Sequence, residues 1–154
     1  MLDVSDAWIG IVNGVYPLAA FVSYPLWWRL AKRWDSRSLL LVGSFGLISY
    51  PLLTGLAPSA PFLLAPAIAG GFMGPPYMIG LANALLDLVP EQNRPSYTAI
   101  YTVAMSLASF TAPLLATGVL LPLFGIKTGL FVGAAGRVAG WLAVLFLVKK
   151  PTST

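Results

Sequence analysis

The sequence contains no cysteine and no histidine, and only nine basic and five acidic residues among 154. Without cysteine there is no disulfide framework, thiolate metal site or thiol nucleophile. Without histidine there is no imidazole ligand and no Ser-His-Asp triad. Charged residues make up 9% of the chain, against roughly 25% in an average soluble domain. A water-soluble globule of this length would need a charged skin that so few side chains cannot supply, so the apolar residues must face lipid. The hydrophobic fraction of 58% and the mean hydropathy of +0.83 agree. The net charge of +4 does not indicate nucleic acid, because the basic residues lie between long apolar runs and not over a polar surface. No metal, cofactor or enzymatic centre is expected. No carboxylate pair sits at membrane depth, and Asp87 with Glu91 has no histidine or second acidic cluster beside it to hold a metal.

What is present is a set of five apolar runs, at about 7–28, 39–57, 62–89, 96–121 and 127–148, each matching the roughly 20 residues that a helix needs to cross a bilayer. The expected fold is all-α, a polytopic membrane protein whose five transmembrane helices form a single bundle over residues 1–154. The acidic start, with Asp3 and Asp6, is unlike a cleaved signal peptide, and Ser5 or Asp6 is placed to cap the first helix. Pro58 and Pro61 mark a turn, Pro90 and Pro95 bound a polar loop, and Pro122 with Gly125 mark a third break. Arg29, Lys32, Arg33, Arg37, Arg94, Lys149 and Lys150 then fall on one side of the membrane and Lys127 on the other. Short cytoplasmic loops are enriched in Lys and Arg. This predicts an inner-membrane protein with its N-terminus outside and its C-terminus in the cytoplasm.

Small residues four apart let helices approach closely in lipid. Gly10 and Gly14, Gly70 and Gly74, the series Gly125, Gly129 and Gly133, and Gly136 with Gly140 are predicted packing positions. Polar groups at depth are costly and tend to face a cavity or another helix. Asn13 and Tyr16 lie one turn apart, and Tyr77 lies beside Pro75 and Pro76 where a kink opens space. On the fourth run Thr98, Thr102, Ser106 and Ser109 share one face, with Tyr101 beside them. This is either a wet face or a set of hydroxyls bonded back to their own helix. Asn83 and Asp87 could form part of a polar gate. Arg137 falls about ten residues into the fifth run. It has two readings, as an anion or substrate ligand or as a structural arginine satisfied by carbonyls or by snorkelling. The structural reading is preferred, because no acid sits at matching depth.

The segment WRLAKRWDSRSLL between the first two runs resembles the loop signature of the major facilitator superfamily, which reads approximately G-x-L-a-D-R-x-G-R-R. Leu30, Ala31, Arg33 and Arg37 match it, whereas Trp28, Lys32, Asp35 and Ser36 stand at departures, Lys32 in place of the motif's acid. Leu88-Val89-Pro90 followed by Arg94, then Ala112-Pro113 with Gly118, then Lys149-Lys150-Pro151, resemble the tenth helix, the eleventh helix and the cytoplasmic ending of that family. Members have about twelve helices in two six-helix halves. The resemblance therefore implies helices eight to twelve, part of the C-terminal six-helix bundle, with the N-terminal half missing. It implies solute transport by alternating access, with a small-molecule substrate and proton coupling through an acid in the missing part. Asn13, Tyr16, Tyr77, Tyr101, Thr102, Ser106 and Arg137 become candidates for the cavity. The resemblance also implies a latch in which Arg33 and Arg37 pair with Asp87 and Glu91 beside Lys32 and Arg94. The alternative is a small multi-pass structural or assembly subunit that binds other membrane helices through its glycine faces.

Overall fold

The computed structural model describes residues 5–147, so the basic residues Lys149 and Lys150 lie outside the described residues. Five long helices account for nearly all of it: α1 (Asp6–Ala31), α2 (Ser36–Leu56), α3 (Leu64–Leu88), α4 (Arg94–Leu115) and α5 (Leu121–Leu147). No strand occurs among the described residues. Ser5, and not Asp6, caps α1, its hydroxyl accepting from the Trp8 amide at 3.4 Å. Asp35 caps α2 through the Ser38 amide at 3.3 Å.

The two turns at Pro58 and Pro90 form as the sequence predicts, each with a short 3₁₀ turn, at Ala60–Leu63 and Glu91–Asn93. The third break differs. A π-helical turn, Ala116–Leu120, carries α4 into the start of α5, so that Gly125, and not Pro122, interrupts the helix, the backbone leaving helical geometry there. Four continuous stretches are long and apolar enough to cross a membrane, and the last of them, residues 91–146, holds both α4 and α5 with the Gly125 kink between them. Pro122 follows closely on that π-turn, whose looser backbone accommodates a residue with no N–H to donate. Gly125, at φ 77° and ψ 168°, adopts a conformation that a side chain would disfavour. The chain reverses around it, since Arg94 at the start of α4 and Leu145 near the end of α5 both lie at the end of the bundle that holds the basic cluster.

Packing runs from α1 to α3, from α3 to α2 and from α2 to α5. At the α2–α3 crossing Gly43 faces the backbone of Tyr77, so a Cβ there would stand 2.3 Å from the Tyr77 nitrogen. Gly71 does the same between α3 and α1, where a Cβ would meet the Tyr16 carbonyl oxygen. None of the predicted packing glycines is among these. Gly10, Gly14, Gly133, Gly136 and Gly140 face open space. Gly43, Gly46, Gly71 and Gly80 carry the close approaches instead, because α3 lies between α1 and α2 and needs a smooth face on both sides. Large apolar side chains point outward along every helix. Phe21 is 78% exposed and Phe146 77%, as suits surfaces that meet lipid.

Candidate functional site

A proline at position i leaves the carbonyl at i−4 without its helical donor, and in lipid that oxygen needs another. Leu47 stands four residues before Pro51 on α2, and the Arg137 guanidinium of α5 donates to its oxygen at 3.0 Å. Phe72 stands four before Pro76 on α3. Its oxygen accepts from the Trp27 indole at 2.8 Å and from the Ser23 hydroxyl at 3.4 Å, both on α1. Leu86 stands four before Pro90 and accepts from Arg94 at 3.5 Å. Two of the chain's prolines therefore create acceptors that side chains of another helix seek out, and at the end of α3 Arg94 of α4 serves a carbonyl that the helix terminus leaves free.

The Arg137–Leu47 contact forms one wall of a cavity of about 420 Å³ between α1, α2, α3 and α5. Asn13 and Tyr16 line it from α1, Tyr50 from α2 and Tyr77 from α3. The ring of Tyr16 stands edge-on to that of Tyr50 with 6.0 Å between centroids. Gly70 makes room for this pair, since a Cβ there would lie 2.9 Å from the Tyr50 ring and 3.0 Å from that of Tyr16. The Gly70–Gly74 spacing thus seats aromatic rings and not a neighbouring helix backbone. A smaller depression of about 190 Å³ shares Val12, Asn13 and Tyr50 and extends toward Thr54 and Leu63, away from the basic cluster.

Four of the predicted cavity residues, Asn13, Tyr16, Tyr77 and Arg137, are brought together here. Tyr101 lies apart on α4, half-buried and within electrostatic range of Tyr77. Thr102 and Ser106 do not reach the cavity. α4 has no buried residue, and the Thr102 hydroxyl donates back to the Thr98 carbonyl at 2.8 Å. Tyr50 and Leu47 went unrecognised in the sequence, although the spacing between Leu47 and Pro51 is the signal that finds the Arg137 acceptor.

The pairing of the basic cluster also differs from the expected latch. Neither Arg33 nor Arg37 meets Asp87 or Glu91 in an ion pair. Asp87 accepts from the Ser36 hydroxyl at 2.7 Å, and Arg37 donates to the Leu145 carbonyl at 2.7 Å. Glu91 pairs with Arg94 at 3.5 Å. Leu30 and Ala31 end α1, and the Lys32 ammonium sits 3.7 Å above the Trp28 ring. The reason is positional. Ser36, in the first turn of α2, stands closest to α3, so it meets Asp87 while the next residue, Arg37, turns toward α5.

Comparison with known proteins gives this geometry a setting. The Multidrug resistance protein MdtG of Klebsiella pneumoniae is 30% identical over 148 residues, which cover 94% of this chain and 35% of that protein. The MFS antiporter QDR3 of Candida albicans is 24% identical over 149 residues, 96% of this chain and 19% of that protein. A stretch of 116 residues is 36% identical to the DNA translocase FtsK of Haemophilus ducreyi, covering 71% of this chain and 11% of that protein. The chain thus spans about a third of the length of MdtG and less of the other two. The sequence pattern of the Major Facilitator Superfamily, a family of transporters and not of enzymes, matches residues 2–154. With its apolar helices and a match along almost its whole length, this multi-pass membrane protein belongs to the Major Facilitator Superfamily.

Proposed function

We propose that the chain forms the last five helices of a secondary transporter that moves a small solute across the inner membrane by alternating access. The observation that carries this reading is the cavity in which Asn13, Tyr16, Tyr50, Tyr77 and Arg137 converge from four helices. A few placed polar groups among aromatic walls, in a space of several hundred cubic ångströms, is the usual make-up of a small-molecule site. The unpartnered α4 and the open glycine faces at Gly10, Gly14, Gly133, Gly136 and Gly140 are surfaces on which the helices of an N-terminal half would pack. A proton-coupled cycle would draw its carboxylate from that half, since the described acids sit at helix ends.

In this reading the basic cluster faces the cytoplasm and the N-terminus lies outside, as Arg29, Lys32, Arg33, Arg37 and Arg94 gathered at one end suggest. The contacts Ser36–Asp87 and Arg37–Leu145 act there as the joint that ties α2 to α3 and α5 during the cycle. The test is uptake and efflux by the complete gene product in membrane vesicles. Changing Arg137, Tyr16 or Asn13 to Ala should reduce transport at least tenfold with unchanged membrane insertion. The exposed Thr111→Val change should leave it intact, and full transport by all three alanine variants would remove the cavity from the solute path.

A further inference from the structure

We infer that the cavity is a binding site for a small organic anion, held by the Arg137 guanidinium with its apolar body among the tyrosine rings, and this rests on the transport reading above. Arginine stays charged in any protein environment and offers five N–H donors in a flat fork suited to a carboxylate, sulfonate or phosphonate. One contact occupies it here, the Leu47 carbonyl at 3.0 Å. That neutral acceptor uses one donor and leaves the positive charge unmatched among the described residues.

None of the carboxylates among the described residues is placed to match it. Among the described acids Asp35 caps α2, Asp87 accepts from Ser36, and Glu91 pairs with Arg94. Asp6 opens α1, about seven residues and so roughly 10 Å along the axis from Asn13 at the cavity. An uncompensated charge at this depth costs a few kcal/mol, and a bound anion removes that cost, whereas a neutral ligand leaves it and a cation adds to it. The remaining polar lining, Asn13 with the hydroxyls of Tyr16, Tyr50 and Tyr77, consists of neutral groups that donate to further anion oxygens. The rings and Leu47 with Met78 give the body of the ligand an apolar and aromatic surround.

Pro51 gives the site a second property. By stripping the Leu47 carbonyl of its helical donor, it sets up a resident acceptor for which an incoming anion must compete. Replacing Pro51 by Ala returns a backbone N–H to that carbonyl and releases the guanidinium. A purely structural arginine would make ligand binding indifferent to this change, and an anion ligand would not.

The experiment measures binding of radiolabelled 1-naphthoate to the full chain, together with whatever precedes it in its gene, in lipid nanodiscs. Unlabelled benzoate, benzenesulfonate, 1-naphthamide and 1-naphthylmethylamine serve as competitors. The two acids should compete. The amide should be at least tenfold weaker than unlabelled 1-naphthoate, and the amine should fail. Arg137→Gln should abolish the difference between acid and amide, Arg137→Lys should keep part of it, and Pro51→Ala should tighten 1-naphthoate binding severalfold. Absence of 1-naphthoate binding, equal competition by amide or amine, or an acid preference surviving in Arg137→Gln overturns the inference. Counterflow in proteoliposomes separates it from the transport reading. Anion binding without counterflow of any anion keeps the site and removes transport, whereas counterflow of a neutral or cationic solute without anion binding removes the site and keeps transport.

Discussion

The helices α1, α2, α3 and α5 contrast with α4, and the contrast lies in where their hydrogen bonds go. In the first group side chains cross between helices: Trp27 of α1 to Phe72 of α3, Arg137 of α5 to Leu47 of α2, and Trp141 of α5 to Leu41 of α2 at 3.1 Å. In α4 the hydroxyls of Thr102 and Thr111 return to carbonyls four residues back on the same helix, each at 2.8 Å. The packed helices also carry the glycines at which backbones nearly touch, whereas α4 has no glycine and no buried residue. Lipid supplies little hydrophobic drive for association, so helices adhere through smooth faces and shared polar contacts. Apart from Arg94 in its first turn, which donates to the Leu86 carbonyl of α3, α4 directs neither at its neighbours among the described residues.

The contrast yields a graded set of substitutions, all to be read by thermal unfolding in detergent. The largest effect belongs to Gly43→Val. With a Cβ forced to 2.3 Å from the Tyr77 nitrogen, the α2–α3 crossing must open, at a cost of about 3 kcal/mol, while Gly14→Val in open space should stay within about 0.5 kcal/mol. Equal losses at both would erase the distinction between close-approach and open glycines. Next comes Arg137→Ala, which orphans the Leu47 carbonyl and should cost about 1–2 kcal/mol. In a Pro51→Ala background the same change should cost less, and a double-mutant cycle reads the difference. Trp27→Phe keeps the ring but removes the donor to Phe72, for about 1 kcal/mol. The smallest effect is Thr102→Val on α4, below about 0.5 kcal/mol, since a back-bonded hydroxyl adds little to a helix that already satisfies its own carbonyls. A loss at Thr102 as large as that at Trp27 would mean that α4 is packed after all.

The helical class and the long apolar runs were legible because bilayer thickness and the energy of burying backbone groups leave few alternatives for runs of this length. Half of the cavity was legible as well. Asn13, Tyr16, Tyr77 and Arg137 stand out as polar groups in apolar runs, and that anomaly is a local property of sequence. Less was visible of anything that depends on which helix lies beside which. Gly43 and Gly80 look no different from Gly136 and Gly140 until α3 is found between α1 and α2. The pairing of Arg37 with a carbonyl of α5, in place of Asp87, depends on the direction in which the first turn of α2 faces. Thr102 and Ser106 stay outside this cavity for a related reason, because a regular hydroxyl spacing marks a common face without saying which helix meets it.

Gly125 bears on how the chain enters a membrane at all. A straight helix over the 56 residues from Glu91 to Phe146 would extend roughly 84 Å at 1.5 Å per residue, nearly three times the thickness of a hydrocarbon core. One backbone torsion, at φ 77°, folds that rod into two limbs and so decides whether the number of crossings is even or odd. The match in length between each of these limbs and a bilayer is in effect encoded in a single residue that has no side chain.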